Sequence, residues 1–203
     1  MTSPRLGLFL AAAACVFGAL VQQAEKKPAS PPANKSAQQS STPQPPPEMQ
    51  KLVNALSGTW SIHEKYEPDE WTPNGGAGQG TEVRRPGPGG FTLIEEYHSK
   101  GSAGETFGLS LTWWDARAQR YQSLWCANSN PEGCQTGFAL NWQGDQIVVT
   151  SAFERGGKKF TWREVVSDIT PTSFTQTADI GEVGEPLKRW LTIHATKIKP
   201  RRN

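Results

Sequence analysis

The sequence predicts an all-β fold, an antiparallel up-and-down barrel of about ten strands preceded by one short helix. Three observations carry this reading. Beyond Gly58 the apolar residues alternate at period two in short runs, with Gly, Pro, Asn or Asp between them. No helical period separates the runs, so consecutive strands must pair as antiparallel neighbours. A meander of that length left open would expose a broad face and two edges, and closure removes both.

The elements follow in chain order. Residues 1–24 read as an export signal, with Arg5 in a short charged start, an apolar run over 6–21 and a small residue at Ala24. That run is too short for a spanning helix, so the chain is expected in the periplasm or outside the cell and not across a membrane. Cys15 follows three alanines and loosely resembles a lipid-attachment box, but the apolar run continues past it to Val21, which a mature lipoprotein would not keep. Residues 25–47, "EKKPASPPANKSAQQSSTPQPPP", contain no aromatic residue and almost no large aliphatic one. Such a segment cannot bury enough apolar surface to offset its conformational entropy, and it is expected to be a disordered, proline-stiffened spacer. The folded domain is then 48–199, followed by a basic tail at 200–203.

Pro47 at a helix start, with Met49, Leu52, Val53 and Leu56 at helical spacing, predicts one amphipathic helix. The expected strands are 59–66, 80–85, 91–99, 106–114, 121–126, 135–142, 146–153, 160–168, 173–178 and 187–199. Short links such as "NWQGDQ" and "ERGGKK" suit hairpins. The stretch "EPDEWTPNGGAGQG", which holds Trp71, is too long for a tight hairpin and reads as a glycine-rich mobile loop, a candidate lid. It carries none of the flanking pattern of a phosphate loop.

A barrel is open at both ends, and a helix leading into its first strand can cover one of them. Gly58 would permit the sharp turn from helix to strand. Trp60 would plug that end, packed on Leu52, Leu56 and the last strand, with Lys188 or Arg189 over its ring.

A helix followed by Gly-x-Trp at the start of such a meander resembles the lipocalin-like, calycin-type barrels. More closely, "MQKLVNALSGTW", "GGFTLIEEYHS" and "WWDARAQRYQSLW" are similar to a group of secreted bacterial lipocalin-like domains of unknown function. The resemblance covers roughly 47–199 and implies a cavity, but it lends no catalytic residue.

Cys126 and Cys134 flank one short loop, and in an exported protein they are most simply a disulfide, since no C-x-x-C or paired His accompanies them. His63, His98 and His194 fall on the first, third and last strands. The first and last strands of a barrel are neighbours, so a haem or metal site is conceivable, and similar-looking nitrobindins hold haem through a C-terminal His. The text around His194, "WLTIHATKIK", does not match well, His63 alternates away from Trp60 toward solvent, and no metal or cofactor is expected. Glu95 and Glu96 point to opposite faces of their strand, so they cannot act as an acid–base pair, and Glu95 shares its face with Phe91, Leu93 and Tyr97.

The candidate ligand-binding residues are Glu95, Tyr97, Trp113 and Trp125, with Trp142, Trp162 and Trp190 as further aromatics for a core or a pocket wall. A net charge of +2 argues against a nucleic-acid partner. The expected function is binding of a small apolar or amphipathic molecule. The alternatives are a hydrolase or isomerase using Glu95 or a histidine as base, a haem barrel, or an envelope interaction module.

Overall fold

A computed structural model describes residues 42–70, 72–130 and 132–199. The expected export signal, most of the spacer, Trp71 and the tail lie outside them. Helix α1 (Pro47–Leu56) begins at a proline, whose missing N–H costs nothing at a helix start, and Met49, Leu52 and Leu56 form its buried stripe. Ten strands follow: β1 (Gly58–Tyr66), β2 (Gly76–Pro86), β3 (Thr92–Gly101), β4 (Gly104–Asp115), β5 (Arg120–Ala127), β6 (Gln135–Gln143), β7 (Gln146–Arg155), β8 (Lys158–Ser167), β9 (Ser173–Glu182) and β10 (Lys188–Lys197). Each pairs antiparallel with the next, and β1 pairs with β10 to close the barrel. No helix among the described residues is long and apolar enough to cross a membrane.

The helix and first strand meet at Ser57–Gly58. Gly58 has φ 149°, a backbone state that other residues rarely adopt, and a Cβ there would come within 2.3 Å of Lys197 Cε. Two residues on, Trp60 is completely buried; its indole N–H donates to the Leu56 carbonyl at 2.9 Å and its ring meets Phe174 edge-on at 4.8 Å. The cation over the ring is Lys197, 4.9 Å from its centroid, in place of Lys188 or Arg189. Antiparallel register explains the difference. The start of β1 lies opposite the end of β10, pairing Trp60 with Lys197, while Leu191, near the start of β10, pairs with Tyr66 at the far end of β1.

The "GGAGQG" text is the second departure. Gly76, Gly78 and Gly80 are not loop but strand, paired with Tyr66, Glu64 and Ile62 on one side, and with β3 from Gly78 onward on the other. The glycines therefore form no lid. What remains of the connection, 67–75, is tied down where described: the Glu67 N–H donates to the Trp190 carbonyl at 2.9 Å, and the Thr72 hydroxyl donates to Asp69 at 2.7 Å.

Candidate functional site

Alternation along each strand decides what the barrel encloses. Near α1 the inward residues are apolar: Leu93, Ile147, Val166, Phe174 and Ala195 pack with Trp60 beneath Met49, Leu52 and Leu56. Tyr121 joins them and donates its hydroxyl to the Glu48 carbonyl at 2.7 Å, fastening helix to wall. Beyond that layer the interior opens into a cavity of about 430 Å³ that runs from Leu52 and Leu56 toward the opposite mouth. Its aromatic wall includes Tyr66, Tyr97, Trp125, Trp162 and Trp190, with Phe138 and Phe153 also on the lining. Trp190 lies edge-on to both Tyr66 and Trp162, at 5.6 and 5.4 Å. Trp125 can lie flat because β4 offers Gly108 beneath it, where a Cβ would fall 2.1 Å from the indole.

Of the four residues singled out as ligand contacts, Glu95, Tyr97 and Trp125 line the cavity, and Trp113 does not. On β4 the inward positions are Thr106, Ser110 and Thr112, so Trp113 faces outward in line with the exposed Phe107 and Leu109. Trp114, the next residue, faces inward and lies edge-on to Tyr121 at 4.9 Å. The three histidines are exposed on the outer surface: His63 pairs across the closing seam with His194, and His98 stacks on Phe107 at 4.4 Å. None lines the cavity. No cluster of three or more metal-ligating side chains occurs among the described residues. Cys126 and Cys134 form the disulfide that closes the β5–β6 loop, and Ser129, Asn130 and Glu132 of that loop rim the mouth.

The feature that the sequence concealed is a charged cluster halfway down the barrel. Arg84, 4% exposed, reaches Glu82 at 2.9 Å and Glu95 at 3.3 Å, and its Nη2 donates to Gln176 at 3.3 Å. Its guanidinium lies over the Phe174 ring at 4.7 Å, so the cluster rests directly on the Trp60 layer. Glu64, also buried, accepts a hydrogen bond from the Tyr97 hydroxyl, and there is room for it because a Cβ at Gly78 would fall 2.2 Å from its Oε2. Glu164 faces the same space from β8, and among the described residues no side-chain cation is within ion-pair distance of it.

Four inward carboxyls around one guanidinium cannot all ionise cheaply. Burial works against the Arg84 charge, but Glu82, Glu95 and Glu164 more than restore it and hold its pKa above the ordinary value. Burial pushes Glu82 up, with Arg84 opposing, and burial likewise raises Glu64. Glu164 is pushed up to about 7 by burial and then by the Glu95 charge, against the pull of Arg84.

A carboxyl with a folded pKa above its unfolded one binds its proton more tightly when folded. Its contribution to stability is therefore complete below the unfolded value of 4.5 and is lost as pH rises toward about 7. Glu164→Gln is expected to match the parent near pH 4 and to exceed it above about pH 7 by on the order of 2 kcal/mol. Thermal melts of both proteins across that range provide the check, and a difference independent of pH would show that Glu164 ionises normally.

Comparison with known proteins supports the fold. No protein-family model matches the chain, and no curated protein matches it by sequence. Among solved structures, Rv2717c from M. tuberculosis is similar over 77% of this chain and all of that one, with a TM-score of 0.53 at 14% identity. At that identity the likeness speaks for a shared barrel architecture.

Proposed function

We propose that this barrel is an exported, non-enzymatic binding protein for a small amphipathic molecule. The observation that carries the reading is the cavity of about 430 Å³, with aromatic side walls, an apolar end at Leu52 and Leu56 and a polar cluster in between. Its size falls in the range of roughly 300–1,000 Å³ typical of small-molecule sites. The Cys126–Cys134 disulfide fits an oxidising compartment and steadies one rim of the mouth. Glu95, Tyr97 and Trp125 are the proposed contacts from the original set, and Arg84, Glu164, Trp162 and Trp190 join them.

Because Trp125, Trp162 and Trp190 all border the cavity, occupancy is expected to alter tryptophan emission. Titration with n-decanol should give a saturable change, and Trp125→Ala should weaken binding by roughly ten-fold, the loss of one well-packed aromatic contact. If n-decanol, n-decylamine and n-decanoate all leave the emission unchanged, the interior is not a binding site.

A further inference from the structure

Within that reading, the chemistry of the ligand is written in how the interior charges are matched. A lone buried arginine in an apolar barrel would seat an anionic head group, because its five donors suit a carboxylate. Arg84 is not in that position. Glu82 and Glu95 already hold it at 2.9 and 3.3 Å, and Gln176 takes a further donor. An entering anion would meet a guanidinium already flanked by two carboxyls, with Glu164 facing the same space as a third.

The unmatched groups are acidic. Glu164 faces the cavity with no ion pair among the described residues, Glu95 shares Arg84 with Glu82, and Glu64 is held only by neutral hydroxyls, of Tyr97, Tyr66 and Ser99. Nearer the mouth, Glu132 and Glu154 stand with Arg155, so acids outnumber bases along the whole lining. The walls point the same way independently. The electron-rich faces of Trp125, Trp162, Trp190, Tyr66 and Tyr97 attract a cation and repel an anion.

We infer that the cavity takes a cationic amphiphile, a molecule with a protonated or quaternary amine at one end and an apolar body, its charge set against Glu164 and Glu95. The apolar body lies along the aromatic wall, and the ammonium donates to carboxylates that have no other full counter-charge. A bound cation also supplies what Glu164 needs in order to ionise at neutral pH, so charge recognition and desolvation reinforce each other.

The inference rests on the cavity reading, and the n-decyl series separates the two. With the purified chain at neutral pH, tryptophan titration is expected to show n-decylamine binding roughly ten-fold tighter than n-decanol, the usual gain of a charge-assisted over a neutral hydrogen bond, with n-decanoate weakest. Glu164→Gln should bring the n-decylamine to n-decanol ratio close to one, and Glu95→Gln should reduce it. Equal affinity for amine and alcohol, or tightest binding of n-decanoate, overturns the cationic-ligand inference while leaving the cavity reading intact. A ratio unchanged in both variants places the charge recognition elsewhere and also overturns it. Failure of all three probes to bind removes the cavity reading and the inference together.

Discussion

Trp60→Ala is expected to destabilise the protein by roughly 3–5 kcal/mol, the usual cost of emptying a large aromatic site. A domain of this kind has about 5–15 kcal/mol in total, so the variant should melt far below the parent or accumulate poorly. The site has little means of collapsing: the indole is completely buried, tied to the Leu56 carbonyl, edge-on to Phe174 and covered by Lys197. Phe107→Ala is the appropriate comparison, because Phe107 is an aromatic on the outer wall with 52% of its surface exposed. Denaturant titration of the two variants should separate them clearly. Equal midpoints would mean that the helix-covered end of the barrel is not closed by Trp60.

Arg84→Met should also destabilise the protein, through a different mechanism and most strongly at high pH. It removes the cation from beneath Glu82 and Glu95 while keeping an apolar side chain over Phe174. Removing one side of a buried ion pair costs up to roughly 3–5 kcal/mol when the other side stays charged. Burial pushes Glu82 up to about 8 even with Arg84 in place, so near neutral pH loss of the cation is met by proton uptake at Glu82, and the cost grows as pH rises and that carboxyl must ionise. At high pH, Arg84→Met combined with Glu82→Gln is therefore expected to be more stable than Arg84→Met alone. Chemical denaturation at about pH 6 and about pH 9 tests the pair. Equal stability of the single and double variants at the higher pH would show that the Glu82 carboxyl does not depend on Arg84.

The architecture could be read from the sequence because its signals are local. A proline start with helical spacing marked α1, period-two runs between turn residues marked the strands, and two cysteines across one loop marked the disulfide. Glu95, Tyr97 and Trp125 reach the cavity because β3 and β5 are inward at the positions that simple alternation gives them. Where hydropathy and facing run against each other, that logic inverts. On β4 the apolar Phe107, Leu109 and Trp113 face outward while Ser110 and Thr112 face in, which made Trp113 look like a wall residue. On β2 the pattern is inverted more strongly: Glu82 and Arg84 are buried and Val83 is not. Charges on a strand ordinarily read as solvated, and only their partners on β3 and β9 show otherwise. Those partners are distant in sequence, so the cluster could not be inferred from any one stretch of text. The glycines of β2 misled for a related reason, since Gly78 spares space for Glu64 on the neighbouring strand, a role that a linear reading takes for flexibility.

The closing seam between β1 and β10 has a consequence for how the barrel assembles. Every other ladder joins strands consecutive in the chain, and such hairpins can zip progressively with little loss of chain entropy at each step. The β1–β10 ladder alone must bring together segments from the two ends of the domain, so its initiation carries the largest entropic barrier. Trp60 stands at the Lys197 end of that ladder, and its ring bridges α1, β9 and β10 through Leu56, Phe174 and Lys197. The tryptophan that seals the end of the folded barrel is thus also a natural latch for the slowest ladder to form, and it ties ring closure to the docking of the helix.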